Sequence, residues 1–560
     1  MDIKTHIRSN LREFAISKGL NPEEIKIIIE LPKDEGHGDY STNLAMILSK
    51  QLKSNPKIIA GEIKEYFNTI PGAAEYISKS DIAGPGFLNF WVCDEYFKKE
   101  TESILDKANE YGKLNINEGK TANIEWVSAN PTGPLHTGHG RQVSLGKAVA
   151  NLLEWSGFKV TREYYYNDAG MQMDTLAKSV YARYRQFFEP AYPFPEDGYV
   201  GDYIKNIADV LKNEYGDKLI KEENNPVFKT AGENYCFKSI KHTLDRFGIH
   251  HDEFYNETSL YDSGKIQETL DEFKRKGLSY EKEGAVWLKT SELIKNKKEA
   301  EDKVIVKSSG EPTYRLPDMA YHIDKIKRGY ESIVDIFGAD HGDTYREVLA
   351  GIEGLGYDTS KIKVIIHQMV TFVKEGKPVK MSKRSDTVYS LDDLLDDVGE
   401  DVAQFFFVMR SVNTHLDFDI ELAKEQSEKN PVFYLQYAHA RICGILRNAN
   451  EIFPLIEGGR GRNIKPDFSL LNQPEEMALM KALSLFPDTV EGAYSTLEPH
   501  KIITYLNELA ENYHKFYHNH RVINRDEKEL SYARLSLCEA SKIVLKNGFD
   551  IIGIKAPERM

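Results

Sequence analysis

Two histidines, His136 and His139, lie three residues apart in ANPTGPLHTGHGRQ, a stretch rich in glycine and proline that covers residues 129–142. The stretch follows an apolar run and precedes a helical pattern. If the first helical turn begins here, the two imidazoles share one face and can donate hydrogen bonds to the same group. Gly138 and Gly140 leave room for a nucleotide to contact the backbone. The stretch is therefore a candidate phosphate site at the N-terminus of a helix.

From these residues alone, two other interpretations of the His-x-x-His pattern stay open. The histidines can be incidental residues in the capped first turn of a helix. They can also form half of a zinc site, because imidazole is a common zinc ligand. The pattern by itself does not decide among the three.

A second charged motif, VKMSKRSD, follows the turn KEGKP and contains Lys380, Met381, Ser382, Lys383 and Arg384. A solvated surface run of charge would explain an isolated Lys-x-x-Lys pattern. However, the motif lies far downstream of the histidines, so a second α/β half can intervene. A basic loop can then close over a triphosphate that the histidine turn holds. Together, the two motifs would neutralise both ends of ATP.

The elements around the histidine turn predict a parallel α/β sheet. NIEWVS has a strand pattern, HGRQVSLGKAVANLLEWSG has helical periodicity that ends at Gly157, and FKVTREYYY has a second strand pattern. This order places the turn at the carboxyl end of a strand, where open α/β sheets bind ligands. After a long charged stretch, the α/β pattern resumes at SIVDIFGADHG and KIKVIIHQMVTFV.

The length of 560 residues predicts several domains, because one hydrophobic core rarely supports so long a chain. Residues 1–113 are predicted to form an N-terminal α+β domain. Residues 114–390 are predicted to form a Rossmann-like α/β domain, interrupted by a mainly helical insertion at about 171–300. Residues 391–430 form a connecting segment, and 431–560 an all-α helical bundle.

The composition is that of an ordinary globular protein, with 41% hydrophobic and 29% charged residues. A net charge of −14 argues against indiscriminate binding to nucleic acid. Four cysteines without Cys-x-x-Cys spacing predict neither a disulfide framework nor a cysteine zinc site. The charged N-terminus and the lack of a long apolar run predict a cytoplasmic protein that does not enter a membrane.

The HTGH and KMSKR motifs, in this order, are similar to the HIGH and KMSKS signature pair of class I aminoacyl-tRNA synthetases. Around them the chain resembles the arginyl-tRNA synthetase family along nearly its whole length. The matching stretches are GDYSTNLAMILSK, GPGFLNF, ANPTGPLHTGHGRQ, REYYYNDAGMQM, FGADHG, VKMSKRSD, LDFDIELAKEQSEKNPVFYLQYAHARI and the terminal APERM.

The resemblance implies an ATP-dependent ligase with two steps. L-Arginine first reacts with ATP to give arginyl-adenylate and pyrophosphate, and arginine then passes to the 3′-terminal ribose of tRNA(Arg). Mg²⁺ is expected to accompany ATP, without a dedicated protein metal site. The implied catalytic residues are His136, His139, Lys380 and Lys383. These four are also implied to bind ATP, together with Gly138, Asp340, His341, Gly342, Met369, Met381 and Ser382.

Recognition of arginine needs acidic groups, since a guanidinium is planar and always charged. Glu125 lies in the predicted strand, and Tyr314 and Asp318 are four residues apart, on one face if this turn is helical. Both spacings match the arginine-binding residues of the family. A solvent-facing strand position for Glu125 and a helix N-cap for Asp318 are the alternatives.

The resemblance also implies that Ser128, Asn130 and His139 lie near the amino and carboxylate groups of the substrate. One position departs from the family pattern. Asp343 stands where some relatives carry glutamine, so we leave it out of the predicted pocket.

For tRNA, the resemblance implies an N-terminal domain that contacts the elbow and a C-terminal bundle that binds the anticodon. NPVFYLQYAHARICGILR and NYHKFYHNHRVINR interleave aromatic residues and histidine with arginine, as expected for stacking on unpaired bases beside phosphates. Packing within the bundle core is the alternative. We expect a monomer whose activation of arginine requires tRNA.

Two other classes of function remain open at this point. Small nucleotidylyltransferases share an HxGH turn on a similar fold, but they lack a distant KMSKR motif and tRNA domains. A synthetase-like tRNA- or protein-binding paralogue without chemistry is the second class, and the intact histidines and lysines of both motifs argue against it.

Overall fold

A computed structural model of the chain describes residues 3–32, 34–168, 171–294, 301–339, 342, 344–379, 389–452 and 466–560. Its first part combines four helices with an antiparallel sheet of strand order β1-β2-β4-β3. The elements are α1 (Ile3–Ser17), β1 (Ile29–Glu30), β2 (Tyr40–Thr42), α2 (Leu44–Leu52), α3 (Pro56–Thr69), β3 (Ile77–Ala83), β4 (Phe87–Val92) and α4 (Asp94–Lys107). Local signals explain the helix starts: Asn55 caps α3 by accepting from Lys57 N, and Pro56 is its first residue.

The next part holds a five-stranded parallel sheet, as predicted for an α/β fold. Its strands are β5 (Thr121–Glu125), β6 (Lys159–Tyr166), β7 (Glu253–Asn256), and further along the chain β11 (Ser332–Gly338) and β12 (Ile362–His367). The helix α5 (Gly140–Trp155) joins β5 to β6, which confirms the predicted βαβ unit. The strand order is β12-β11-β5-β6-β7, so the connections diverge between β5 and β11.

Between β6 and β11 the chain is mainly helical but not wholly an insertion. The helices there are α6 (Met171–Gln186), α7 (Asp202–Tyr215), α8 (Pro226–Arg246), α9 (Thr258–Asp262), α10 (Lys265–Arg275), α11 (Thr290–Leu293) and α12 (Arg315–Lys327). An antiparallel sheet is formed by β8 (Ser279–Lys282), β9 (Ala285–Leu288) and β10 (Lys303–Val306). The interpretation of 171–300 as one interruption is therefore wrong at β7, which extends the parallel sheet beside β6.

After β11 and α13 (Thr344–Gly354), the predicted run KIKVIIHQMVTFV divides between two sheets. β12 completes the parallel sheet, whereas β13 (Val370–Lys374) pairs with β14 (Lys377–Pro378) and with β15 (Leu416–Asp419). The connecting segment also contains α14 (Leu391–Val398), α15 (Glu400–Val408) and α16 (Ile420–Lys424). The strand β15 was not predicted, because its four residues show too short an alternation to stand out.

In the described C-terminal residues every regular element is a helix, which confirms the predicted bundle. Its helices are α17 (Pro431–Ile452), α18 (Pro474–Ser484), α19 (Phe486–Thr496), α20 (His500–Asn519) and α21 (Lys528–Ile552). The bundle packs on α5: Gln404 of α15 donates to the carbonyls of Ser144 and Ile552, and Lys147 of α5 donates to Gly553 O at 2.7 Å. The helix after the histidine turn is thus held between the sheet and the bundle.

Candidate active site

The crevice at the carboxyl ends of β5 and β11 is the topological switch point of the parallel sheet. The chain leaves these adjacent strands toward opposite sides, and open α/β sheets bind ligands in such a crevice. β5 leads into the histidine turn, and β11 leads into Ala339 and Gly342. Gln142 of α5 donates to Ile336 O of β11 at 2.6 Å, which ties the two sides together.

The histidine turn, residues 136–140, is fixed by hydrogen bonds between its own side chains and backbone. His136 Nδ1 accepts from Gly138 N at 3.1 Å, and His139 Nδ1 accepts from His136 N at 3.2 Å. Because each Nδ1 is an acceptor, each neutral ring carries its proton on Nε2. The histidines do cap the start of a helix, as the first of the two alternative interpretations predicted. The cap, however, uses only Nδ1, and neither Nε2 has a hydrogen-bond partner among the described residues.

The two imidazole rings of the turn are uncharged, because their pKa values are lowered. Desolvation by the surrounding protein lowers the pKa of His136. Desolvation, together with the neighbouring His136, lowers the pKa of His139 to about 4. Both rings are therefore uncharged near neutral pH and offer Nε2–H as donors at the N-terminus of α5. That end also carries the positive end of the helix dipole, so the turn favours an anion without carrying a formal charge.

A side chain at either glycine of the turn would press on a neighbouring ring. A Cβ on Gly138 would lie 2.8 Å from Cε1 and Nδ1 of His136, closer than such contacts occur. A Cβ on Gly140 would overlap the ring of Phe407 in α15. The close packing that holds the histidine turn therefore depends on both glycines.

The KMSKR motif lies outside the described residues, as do Asp340, His341 and Asp343. The residues on either side of the motif are described. Val379 N donates to Phe372 O at 2.8 Å, and after the motif Leu391 N donates to Leu135 O at 2.8 Å. Ser390 forms a β-bridge with His136. The chain that follows the motif is thus bonded directly to the histidine turn.

Glu125, at the end of β5, is buried, so the alternative of a solvent-facing strand position is wrong. Its Oε1 accepts from Ser128 Oγ at 2.9 Å, and its Oε2 accepts from Lys325 Nζ of α12. After β5 the backbone turns sharply: Val127 has φ 69° and Ser128 φ 40°. Such values are strained for residues other than glycine, and strain of this kind concentrates at functional sites.

Tyr314 and Asp318 lie one turn apart at the start of α12, as their spacing predicts. Asp318 N donates to Tyr314 O at 3.2 Å, and Tyr314 is the N-cap residue, so the N-cap alternative for Asp318 is wrong. Tyr314 is 76% exposed. Burial, with the negative charges of Glu125 and Glu257, raises the pKa of Asp318 to about 7. Among the described residues, no donor bonds to this carboxylate.

The remaining described site residues follow strands of the parallel sheet: Ser128 and Asn130 come after β5, and Met369 comes after β12. Ser128 Oγ accepts from Tyr165 N at 3.0 Å, and Asn130 Nδ2 donates to Gln172 Oε1 at 2.6 Å. Met369, which follows β12, is 59% exposed.

Sequence reasoning missed the charged residues beneath the pocket. Lys325 is completely buried and donates to Asp335 Oδ1 of β11 at 2.6 Å as well as to Glu125. His322, one turn after Asp318, contacts Asp335 Oδ2 at 3.2 Å. The acidic residue of SIVDIFG within an apolar strand was the available signal, because a buried charge needs a partner.

The start of α5 has a further anchor, Arg141, whose side chain is also completely buried. Its guanidinium donates to the carbonyls of Gln368, Ser411 and Thr414 at 2.7–2.9 Å. Desolvation lowers the pKa of Arg141 to about 10. The anchor joins the histidine turn to the end of β12 and to the connecting segment.

On the bundle, the two aromatic stretches predicted for tRNA meet each other. Arg441 of α17 stacks over the Tyr517 ring of α20 at 4.4 Å, and Phe433 stacks on Tyr437 at 6.1 Å. We call these four residues the aromatic patch; its rings are half-buried and its guanidinium is exposed. By contrast, the core-packing alternative holds for the other aromatic and histidine residues of these stretches that are buried: His439, Tyr513 and Phe516.

Within the described ranges, no group of three or more His, Cys, Asp or Glu residues has an arrangement suited to a metal ion, so the half zinc site lacks further ligands there. No helix in the same ranges is long and apolar enough to cross a membrane.

Comparison with known proteins gives three matches to protein-family models. The arginyl tRNA synthetase N terminal domain matches residues 1–92. The catalytic domain of tRNA synthetases class I (R) matches residues 100–407, and the DALR anticodon binding domain matches residues 435–560. The second of these alone covers more than half of the chain.

Individual proteins are similar over the full length. An arginine–tRNA ligase of Desulfotalea psychrophila is 46% identical over 535 residues, covering 96% of this chain and 95% of that protein. The corresponding ligase of Salinibacter ruber is 43% identical over 574 residues, with both chains fully covered. The structure of Thermus thermophilus arginyl-tRNA synthetase superposes with a TM-score of 0.77 at 21% identity, with both chains fully covered.

Proposed function

The chain belongs to the class I arginyl-tRNA synthetase family and is an ATP-dependent arginine–tRNA ligase, and we propose that the crevice between β5 and β11 holds both arginine and ATP. One observation carries this proposal: β5 ends at the buried Glu125 and leads into a neutral turn suited to phosphate, while α12 brings Asp318, a desolvated acid suited to guanidinium, close enough to Glu125 for their charges to interact. Membership of the family decides against a nucleotidylyltransferase and against a paralogue without chemistry.

For ATP, we propose that His136 and His139 donate their Nε2–H groups to the phosphates. Fixed, neutral N–H donors can stabilise the negative charge that builds up around the α-phosphorus in the transition state. Because they carry no charge of their own, the protein does not have to desolvate a cation at this position. Gly138 gives the nucleotide access to the backbone. Gly342 and Met369 would line the same site, together with Asp340 and His341.

Lys380 and Lys383, with Met381 and Ser382 between them, are proposed to neutralise the leaving pyrophosphate. The support comes from the residues that follow the motif. Ser390 forms a β-bridge with His136, and Leu391 N donates to Leu135 O, so the chain passes the histidine turn just after the motif. A flexible lysine supplies a point charge to phosphate. The motif would thereby complete the nucleotide site from the opposite side.

For arginine, we propose that Asp318 and Glu125 receive the guanidinium, with the Tyr314 side chain at the mouth of the pocket. A planar, charged group of this kind is best matched by carboxylates that accept two parallel hydrogen bonds. Ser128, Asn130 and His139 are proposed to lie near the α-amino and carboxylate groups. That places the reacting carboxylate next to the turn that holds the phosphates.

The chemistry follows from this placement. A carboxylate oxygen of arginine attacks the α-phosphorus, a new P–O bond forms, and the bond to pyrophosphate breaks. The ribose hydroxyl of the tRNA end then attacks the activated carbonyl, and AMP leaves. Neither step needs a covalent bond to the enzyme, so the protein acts by positioning the reactants and stabilising charge.

Mg²⁺ is proposed to enter with ATP, whose phosphate oxygens suit a hard cation. The neutral Nε2–H donors of His136 and His139 fit phosphate oxygens rather than the cation itself. When bound, Mg²⁺ would supply neutralisation of the triphosphate charge. The histidines would orient the triphosphate, while Lys383 would hold its leaving end.

For tRNA(Arg), we propose that residues 1–113 contact the elbow and that the bundle, residues 431–560, binds the anticodon. The aromatic patch supports the second assignment, since half-buried rings beside an exposed arginine suit unpaired bases. The remaining boundaries proposed are 114–390 for the catalytic domain, whose strand β7 divides the mainly helical stretch 171–300, and 391–430 for the connection. A cytoplasmic monomer without a membrane partner is proposed as well.

The test of the proposed nucleotide site is Lys383→Ala, assayed by arginine- and tRNA-dependent exchange of pyrophosphate into ATP. Loss of a charge-assisted contact made mainly in the transition state should slow exchange by roughly 10²–10³-fold. Affinity for tRNA should stay near that of the parent, because the aromatic patch is untouched. An exchange rate equal to that of the parent would remove Lys383 from the site.

A further inference from the structure

A completely buried lysine, Lys325, lies beneath the proposed arginine pocket. Its ammonium donates to Glu125 Oε2 and, at 2.6 Å, to Asp335 Oδ1. These two carboxylates lie opposite each other in the paired strands β5 and β11. Lys325 therefore bridges the two strands at the point where their connections diverge.

The bridge is the centre of a longer hydrogen-bond network. His322 lies 3.2 Å from Asp335 Oδ2 and 2.7 Å from Asp318 O. Both neighbours are acceptors, so His322 donates from both nitrogens. Burial disfavours the charged ring, but the charge of Asp335 outweighs this and raises the pKa of His322. The network thus reaches the backbone of Asp318 at one end.

At its other end, the network reaches the strained turn after β5. Glu125 Oε1 accepts from Ser128 Oγ, which in turn accepts from Tyr165 N. Both oxygens of Glu125 are therefore held by protein donors before any ligand binds. Asp318 differs, because within the described ranges its carboxylate has no bonded donor. One connected set of hydrogen bonds consequently spans both ends of the proposed pocket.

The cost of this arrangement argues for a role beyond stability. Burying an ammonium with carboxylates is seldom better for folding than packing apolar side chains of the same volume. The arrangement does, however, fix three elements against one another: β5, β11 and α12. A pocket that must hold a guanidinium within a fraction of an ångström gains from such fixing.

We propose that Lys325 is a positioning residue for arginine recognition, which holds Glu125 in place and leaves Asp318 as the carboxylate free for the substrate. The proposal rests on the proposed function of the pocket. Lys325 does not touch arginine in this account. It acts through Glu125 and through the alignment of α12 with the two strands.

The test uses the full-length protein and two variants. Lys325→Met removes the ammonium and leaves Asp335 and Glu125 buried without it, so both the fold and the pocket should suffer. Lys325→Met combined with Asp335→Asn removes the bridging pair together, which should restore much of the thermal stability. In aminoacylation of tRNA(Arg), both variants should raise the KM for arginine by roughly 10- to 100-fold, because Glu125 is displaced. The KM for ATP should change by less than about twofold, since the histidine turn is untouched.

Lys265→Met is the matched control. It removes an ammonium from Asp324, which precedes Lys325 on the same helix but faces Lys265 of α10 at 2.6 Å. The control should leave the KM for both substrates unchanged. This control measures how the loss of a lysine–carboxylate pair on α12 changes stability and KM when the pair lies outside the pocket.

A double variant that folds and retains the parental KM for arginine would overturn the proposal, because Lys325 would then serve folding alone. Failure of the double variant to fold, with Lys265→Met folded, would also count against it. Asp318→Asn in the same assay distinguishes failure of the proposed pocket from failure of the role proposed for Lys325. An unchanged KM for arginine in Asp318→Asn would refute the pocket itself. A raised KM for arginine in Asp318→Asn, together with an unchanged KM in the Lys325 variants, would refute only the role of Lys325.

Discussion

The histidine turn and the acidic pocket both follow from the carboxyl end of β5 but are built in opposite ways. The turn is local: His136 and His139 are fixed by bonds to backbone atoms within three residues. The pocket is assembled from distant segments, and Lys325 reaches Glu125 across 200 positions of sequence. The turn is neutral, whereas the pocket is dense in buried charge.

The difference follows from the charges of the two substrates. A phosphate is recognised by dipoles and N–H groups, which a helix N-terminus supplies at little cost. A guanidinium requires negative charge, and a carboxylate kept in a desolvated pocket is expensive unless cations nearby offset it. Lys325 and His322 provide that offset for Asp335 and Glu125. Among the described residues no cation bonds to the Asp318 carboxylate, and its pKa is raised because desolvation outweighs the more distant charges of His322 and Lys325.

The largest expected effect concerns the pocket, in the variant Asp318→Asn. The amide keeps the shape of the side chain but cannot offer a negative charge to guanidinium. Arginine binding should weaken by about 3–4 kcal/mol, roughly 10²–10³-fold, in titration calorimetry. Asp324→Asn, on the same helix but facing Lys265, is the control and should bind arginine normally. Parental affinity in Asp318→Asn would show that charge at this position is not what selects the substrate.

The next effect separates the two roles of a histidine in the turn. In His136→Asn, the new side chain is a favoured N-cap and can still accept from Gly138 N, but the Nε2–H donor is lost. Thermal stability should remain at the parental level, while the rate of adenylate formation should fall by about 10²-fold. A parental rate would mean that His136 serves only as a helix cap.

A smaller effect is expected from Gly138→Ala. The added Cβ would press on the His136 ring, which can move because it is exposed, at the expense of its cap bond. We expect a loss of about 1 kcal/mol in the free energy of unfolding, measured by urea denaturation, and a rate about tenfold lower. Gly492→Ala is the control, since a Cβ on this glycine of α19 meets no atom within 4 Å and should stabilise the helix slightly. Equal effects of the two substitutions would show that the ring is not held as described.

Local features of this molecule were predictable from sequence. The β5–α5–β6 unit, the helical start at the histidine turn and the one-turn spacing of Tyr314 and Asp318 all depend on residues close in the chain. Their signals are periodicity, turn residues and fixed spacing. The roles of the site residues came from family resemblance, and they stay predictions until variants are measured.

Features that depend on distant partners were not predictable. β7 is a four-residue strand between helices, and only its pairing with β6 makes it part of the parallel sheet. Lys325 lies in a helix whose sequence, RLPDMAYHIDKIK, gives no sign that this lysine rather than Lys327 is buried. Burial of a charge is decided by carboxylates on other elements, which periodicity cannot reveal.

The central claim is that the carboxylate of Asp318 binds the guanidinium of the substrate arginine. Its pKa lies near 7 without ligand, and guanidinium binding favours the ionised form, so the pKa must fall on binding and a proton must leave. Arginine affinity should therefore weaken as pH falls through 7, since at pH 6 most molecules must first lose that proton.

The decisive measurement is the Kd for arginine by calorimetry at pH 6 and pH 8, for the parent and for Asp318→Asn. His139, with a pKa of about 4, stays neutral over this range. The charge of Asp335 raises the pKa of His322, and a pH dependence that came from His322 would persist in Asp318→Asn, because His322 contacts only the backbone oxygen of residue 318. We expect the parent to bind arginine about tenfold more tightly at pH 8 than at pH 6, and the variant to show no such difference. Equal affinity of the parent at the two pH values, or the same pH dependence in the variant, would contradict the account.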